Sequence, residues 1–162
     1  MRTLCLTALL STMAIAAPAL GDAQTQIDRI VVRVNRHIIT SSDIRQARLL
    51  KLVSGGTDEE IQRALENRLL MLDEVTRLAP GDPPAEAVAE HRRDWAASLG
   101  SGNQAELLTR VGMSEAALAA WMADDIRIRD YLGQRFGAVP EADRQQNIDD
   151  WLLRLRQRAG LR

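Results

Sequence analysis

Cysteine is almost missing from this 162-residue chain: Cys5 is the only one, and it lies in an apolar run at the amino terminus. Downstream of that run, disulfide staples, thiolate nucleophiles and cysteine metal sites are all excluded. Aromatic residues make up only 3%, too few for the stacking platforms that hold single-stranded nucleic acid. His37 and His91 are the two histidines. Neither has a carboxylate pair at metal-ligand spacing, so both read as ordinary polar residues and no metal or cofactor is implied. Lys51 is the one lysine, and the 21 basic residues alternate with 22 acidic ones to leave a formal net charge of −1. Attraction of a polyanion by bulk charge is therefore excluded. A glycine-rich phosphate loop is also missing.

The amino terminus reads as a targeting segment. Arg2 is its only charge, and Leu4 to Ala17 is apolar but shorter than the roughly 20 residues that span a bilayer. Ala19 and Gly21 place small residues at the spacing of a signal-peptidase site, and Ala23 offers a second one. The expectation is a signal peptide over residues 1–21, export to the periplasm, and one mature domain over 22–162. Loss of Arg2 leaves 20 basic against 22 acidic residues, a mature net charge of about −2.

What remains is mostly helical, apart from one strand pattern. In IDRIVVRVNRHIITSSDI, Ile30, Val32 and Val34 alternate with their neighbours, Asn35, Arg36 and His37 form a short polar triplet, and Ile38 and Ile39 follow. The spacing predicts a small hairpin over 27–39 with its apolar face on Ile30, Val32 and Val34. Thr40, Ser41, Ser42 and Asp43 supply oxygens to cap a helix from about Ser42 to Val53, halted by Gly55 and Gly56. Thr57 or Asp58 caps a second helix whose Ile61, Leu65, Leu69, Leu72 and Val75 recur at helical spacing until Pro80, Pro83 and Pro84. Further helices are expected over Pro84–Leu99, Gln104–Val111, Ser114–Phe136 and Glu141–Ala159. A two-stranded hairpin cannot stand alone in water. Its apolar face is expected to lie under the closing helix, against Trp151, Leu152 and Leu155.

Two stretches carry a resemblance. VNRHIITSSDI, through Val34, Asn35, Ile38, Ile39, Ser42 and Asp43, resembles the opening of the N-terminal domain of SurA-type periplasmic chaperones. His37 stands where that family often has a turn glycine. The run AELLTRVGMSEAALAAWMADDIRIRDYL resembles the family's short helix, glycine stop and long charged helix, through Leu108, Gly112, Met113, Ser114 and Leu118. DDWLLRLRQRAGLR is similar to its closing helix. The resemblance covers nearly the whole mature chain. It implies a mostly α, multi-helix SurA N-terminal-like domain with a small hairpin and a C-terminal closing helix. Larger relatives carry parvulin-type prolyl isomerase domains before that helix, whereas only residues 137–140 stand there in this chain.

No catalytic constellation emerges from the residues. Ser41, Ser42 and Ser114 read as caps without a base. The adjacent acids Asp124 and Asp125, and Asp149 and Asp150, are expected on different sides of their helices. Asp125 and Arg129, four apart, are expected to pair as a partly buried structural ion pair. Leu118, Trp121, Met122 and Trp95 are the candidate peptide-binding residues, since methionine beside a broad aromatic suits varied apolar partners. By resemblance, the chain is expected to be a non-catalytic periplasmic chaperone for unfolded polypeptides, outer-membrane proteins among them. Two alternatives stay open: an assembly protein with one fixed partner or a domain-swapped dimer, and an accessory protein related to the isomerases.

Overall fold

The computed structural model describes residues 28–78, 81–100 and 103–161; the expected signal peptide and its cleavage sites lie outside them. Two strands, β1 (Ile30–Val34) and β2 (His37–Thr40), precede six helices: α1 (Ser41–Leu49), α2 (Asp58–Leu78), α3 (Ala85–Leu99), α4 (Gln104–Val111), α5 (Glu115–Phe136) and α6 (Glu141–Arg158). The fold is thus mostly α with a small antiparallel hairpin, and the helix boundaries follow local capping chemistry.

At α1, the Thr40 hydroxyl accepts from the Asp43 amide, while the Asp43 carboxylate accepts from the Thr40 amide at 2.7 Å. Thr57 and Glu60 make the same reciprocal arrangement ahead of α2. Asn103 and Ser114 cap α4 and α5. The first helix ends at Leu49, earlier than the expected Val53, for a visible reason. Lys51 takes a left-handed φ of 51°, and the Leu52 amide turns back to donate to the Ala47 carbonyl. That closure usually falls to glycine; here it delivers Leu52 into the interior.

The hairpin corrects the sequence reading twice. A register shift between Ile30 and Val32 breaks the alternation, so Ile30 is 57% exposed while Val31 and Val32 both pack against the core. The buried anchors are Val34 and Ile39, one from each strand. Nor does the closing helix cover the hairpin in the main. β1 and β2 pack against α2, with β2 also against α1, whereas α6 packs on α2 and α5. The reason lies in α2, which presents Asp73 to the hairpin turn and the interleaved Glu66, Asn67 and Glu74 to α6, so both chain ends share its core without chiefly meeting one another.

The turn is fastened to α2 by charge. Asn35 takes a φ of 51°, and its Nδ2 donates to Asp73 Oδ2 at 2.7 Å. His37 Nε2 lies 3.0 Å and Arg36 3.3 Å from Asp73 Oδ1. The whole polar triplet thus converges on one carboxylate, and His37 has a role there that a turn glycine could not fill.

Two hydrophobic clusters form the interior. The larger joins Val34, Ile39, Ile44, Ile61, Leu65, Leu70, Val75, Tyr131, Phe136, Trp151 and Leu155. The smaller gathers Leu50, Trp95, Leu108, Leu118 and Met122 around α3, α4 and the start of α5. Leu52 and Trp121 pack against both. The Trp151 ring centroid lies 5.9 Å from those of Tyr131 and Phe136, and a buried ion pair of 2.8 Å joins Arg156 of α6 to Glu66 of α2.

These contacts set two expectations. Trp151→Ala should cost about 3–5 kcal/mol and deletion of residues 148–162 should unfold the domain cooperatively; urea melts that keep the parent midpoint would show α6 to be peripheral. Burial raises the Asp73 carboxyl, but hydrogen bonds from Asn35 and His37 and the charges of His37 and Arg36 outweigh it, leaving Asp73 below its ordinary value. A depressed carboxylate contributes stability above its unfolded value, and that stability is lost as pH falls through the folded one. Hydrogen exchange of β1 and β2 amides should accordingly quicken in that acid window, and Asp73→Asn should abolish the pH dependence.

Candidate functional site

A cavity of about 140 Å³ opens where the two clusters meet. β2 contributes Ile38 and Ile39, α1 Asp43, Gln46 and Ala47, and α2 Leu65, Arg68 and Leu69, while Leu52, Met113 and Trp121 close the remaining sides. Ile38 is 42% exposed and marks the mouth.

Each polar side chain on this wall is hydrogen-bonded within the protein. The Asp43 carboxylate caps α1. Gln46 Nε2 donates to the Val111 carbonyl at 2.8 Å, tying α1 to the end of α4. Arg68 stacks with its guanidinium carbon 3.6 Å from the Trp121 ring centroid. It donates through Nε to Asp125 at 3.1 Å and through Nη2 to the Trp121 carbonyl at 3.0 Å. The side chain is 9% exposed, so its charge is held almost wholly by the protein. What the cavity offers a visitor is mainly hydrocarbon and aromatic surface; the Trp121 indole N–H is buried without a hydrogen-bond partner and does not open onto it. Such a wall can hold an apolar group, but it contains no nucleophile with an adjacent base.

Of the four candidate residues, Trp121 alone lines this cavity. Leu118, Met122 and Trp95 are buried in the smaller cluster, where Trp95 Nε1 donates to the Leu50 carbonyl at 2.7 Å. A ligand in the cavity meets Trp121, with the other three supporting it from behind. The sequence reading missed Arg68, Ile38, Ile39 and Met113. Arg68 had left a signal: it falls between Leu65 and Leu69 within the apolar stripe of α2, where a cation needs a partner.

The expected pairing of Asp125 with Arg129 is not made. Arg129 lies 3.6 Å from Asp130 at the surface, whereas Asp125 reaches across to Arg68 at 3.0 Å and to His91 at 3.6 Å. Asp124 approaches the same guanidinium at 3.9 Å. The adjacent acids thus address one cation after all, because Arg68 crosses from α2 far enough to lie between them. His91 likewise has a specific carboxylate partner rather than solvent alone. Burial pushes the Asp125 carboxyl above its ordinary value, against the pull of Arg68 and His91. Among the described residues no group of three or more His, Cys, Asp or Glu could hold a metal ion, and no helix is long and apolar enough to cross a membrane.

Asp125→Asn would leave Arg68 buried with only the more distant Asp124. The expected loss is about 2 kcal/mol, less than the 3–5 for breaking a fully buried pair because Asp125 is partly solvated. Chemical denaturation followed by tryptophan emission measures it, and an unchanged midpoint would show the Arg68 contacts to be dispensable. Compared with known proteins, the chain matches no family model, no curated protein and no solved structure.

Proposed function

We propose that this chain is a chaperone-like protein of the periplasm that shields apolar side chains of unfolded polypeptides, outer-membrane proteins among them, without catalysis. The observation that carries this reading is the partly open cavity whose polar side chains are each hydrogen-bonded within the protein, so that it presents mainly apolar surface to a guest. The resemblance of VNRHIITSSDI and of the Ala105–Leu132 run to SurA-type N-terminal domains supports the compartment and the client class.

Magnitudes favour a holding role. A dry cavity of about 150 Å³ accepts a benzene-sized ring, so this one suits a single aromatic or branched aliphatic side chain. Burying such a side chain yields about 1.5–3 kcal/mol, which falls short of even the roughly 4 kcal/mol of a millimolar complex. Contact of that strength is reversible, as a holding protein needs, and is tolerant of sequence. α5 and α6 are joined by residues 137–140, which have no length for a catalytic domain.

Purified protein added to two unrelated unfolded chains should lower their light scattering. Ile38→Asp, at the exposed mouth, should weaken that effect severalfold while the urea midpoint stays within about 0.5 kcal/mol of the parent. Undiminished protection by Ile38→Asp would remove the cavity from the mechanism. Protection of only one of many chains would favour the assembly-protein alternative.

A further inference from the structure

Arginines that alternate with acids along the sequence do not stay evenly mixed in space. Arg77 at the end of α2, Arg135 at the end of α5, and Arg154 and Arg158 on α6 line a cleft of about 580 Å³ together with Leu78 and Trp151. Glu74 is the one carboxylate on its wall. Arg77 and Arg158 share it, at 2.6 and 2.8 Å. Arg135 bonds the Tyr131 hydroxyl at 3.3 Å and lies 5.5 Å from the Trp151 ring centroid, with no acid beside it. Arg154 makes no hydrogen bond or ion pair among the described residues.

A structural explanation is at hand, since cations near the carboxyl ends of α2, α5 and α6 offset their dipoles. Each end carries only about half a negative charge, however. Glu74 and the carboxyl ends of α2, α5 and α6 together still leave the four guanidiniums in excess, in a chain whose formal net charge is −1. We propose that this cleft binds a short acidic segment of polypeptide, with two carboxylates flanking an apolar residue. The inference rests on the reading that the chain holds polypeptides, and it adds a charged determinant at a second place on the surface. Arginine is suited to the task because its planar fork takes a carboxylate through two parallel hydrogen bonds. The two guanidiniums without a carboxylate project from different helices, which fits two separated carboxylates better than one compact phosphate. Leu78, 47% exposed at the edge of the cleft, offers the apolar contact between them.

The test compares two synthetic peptides on the full protein by titration calorimetry. One carries Glu-Leu-Glu in a neutral polar sequence, and the other carries Gln-Leu-Gln. The acidic peptide should bind at least tenfold more tightly, with the advantage shrinking as salt is raised. Arg154→Glu should abolish that advantage, whereas Arg110→Glu on exposed α4 should leave it intact. Urea midpoints of the variants control for folding, and Arg154→Gln provides a milder variant with an intermediate loss. Equal affinity for the two peptides, or no effect of Arg154→Glu, would overturn the inference. So would inorganic phosphate or anionic phospholipid vesicles displacing the peptide at lower concentration than it binds, because the ligand would then be a phosphate. Aggregation assays with Ile38→Asp report separately on the cavity: protection without acidic preference overturns the cleft alone, and acidic preference without protection supports the cleft while overturning the holding role.

Discussion

Arg68 sits where the two clusters of this domain meet, and its satisfaction is the constraint on which the rest depends. A guanidinium that is nine-tenths buried must be stacked and hydrogen-bonded on every side or its desolvation destabilises the fold. Trp121 supplies the face and a carbonyl, while Asp125 supplies the nearest carboxylate. These requirements fix the depth and rotation of α5 against α2. They also set Trp121 in place as a wall of the cavity. His91 joins from α3 through the same carboxylate, so three helices are registered around one cation.

The same logic governs the hairpin at the edge of the larger cluster. Two strands have too little buried area to persist by themselves, and the irregularity after Ile30 exchanges that residue for Val31 without enlarging the apolar face. The deficit is made up in two ways. Val34 and Ile39 are pressed into α1 and α2, and the turn is tied to α2 through Asp73. Ile38, next to His37, is thereby held at the mouth of the cavity, so the opening is shaped by a charge interaction at the adjoining turn.

Much of the fold was legible in the chain because its cues are local. Thr40 with Asp43, Asn103, Gly112, Ser114 and Pro140 all stand at helix ends, where their side chains or backbone preferences act within a few residues. The early stop of α1 was hidden, because Lys51 adopts a conformation that its residue type does not advertise. Contacts between helices were harder still. Asp125 and Arg129 have the spacing of a helical pair, yet a cation on another helix competes for the acid with far less solvent around it, and wins. Of the candidate site, Trp121 was visible as an aromatic on an apolar face. Ile38 and Arg68 join it only through tertiary packing that no periodicity encodes.

The two clusters also differ in how much chain they enclose. The smaller one draws mainly on Trp95 to Met122, with Leu50 as its one distant member, whereas the larger ties Val34 to Leu155 across most of the described chain. Loop-closure entropy grows only logarithmically, so the wider span costs about 1 kcal/mol more than the narrow one. That difference is smaller than the burial of a single large side chain such as Trp151. Joining the two ends of the domain through a common helix is therefore inexpensive in entropy, and it is slow in proportion to the sequence distance that the chain must search.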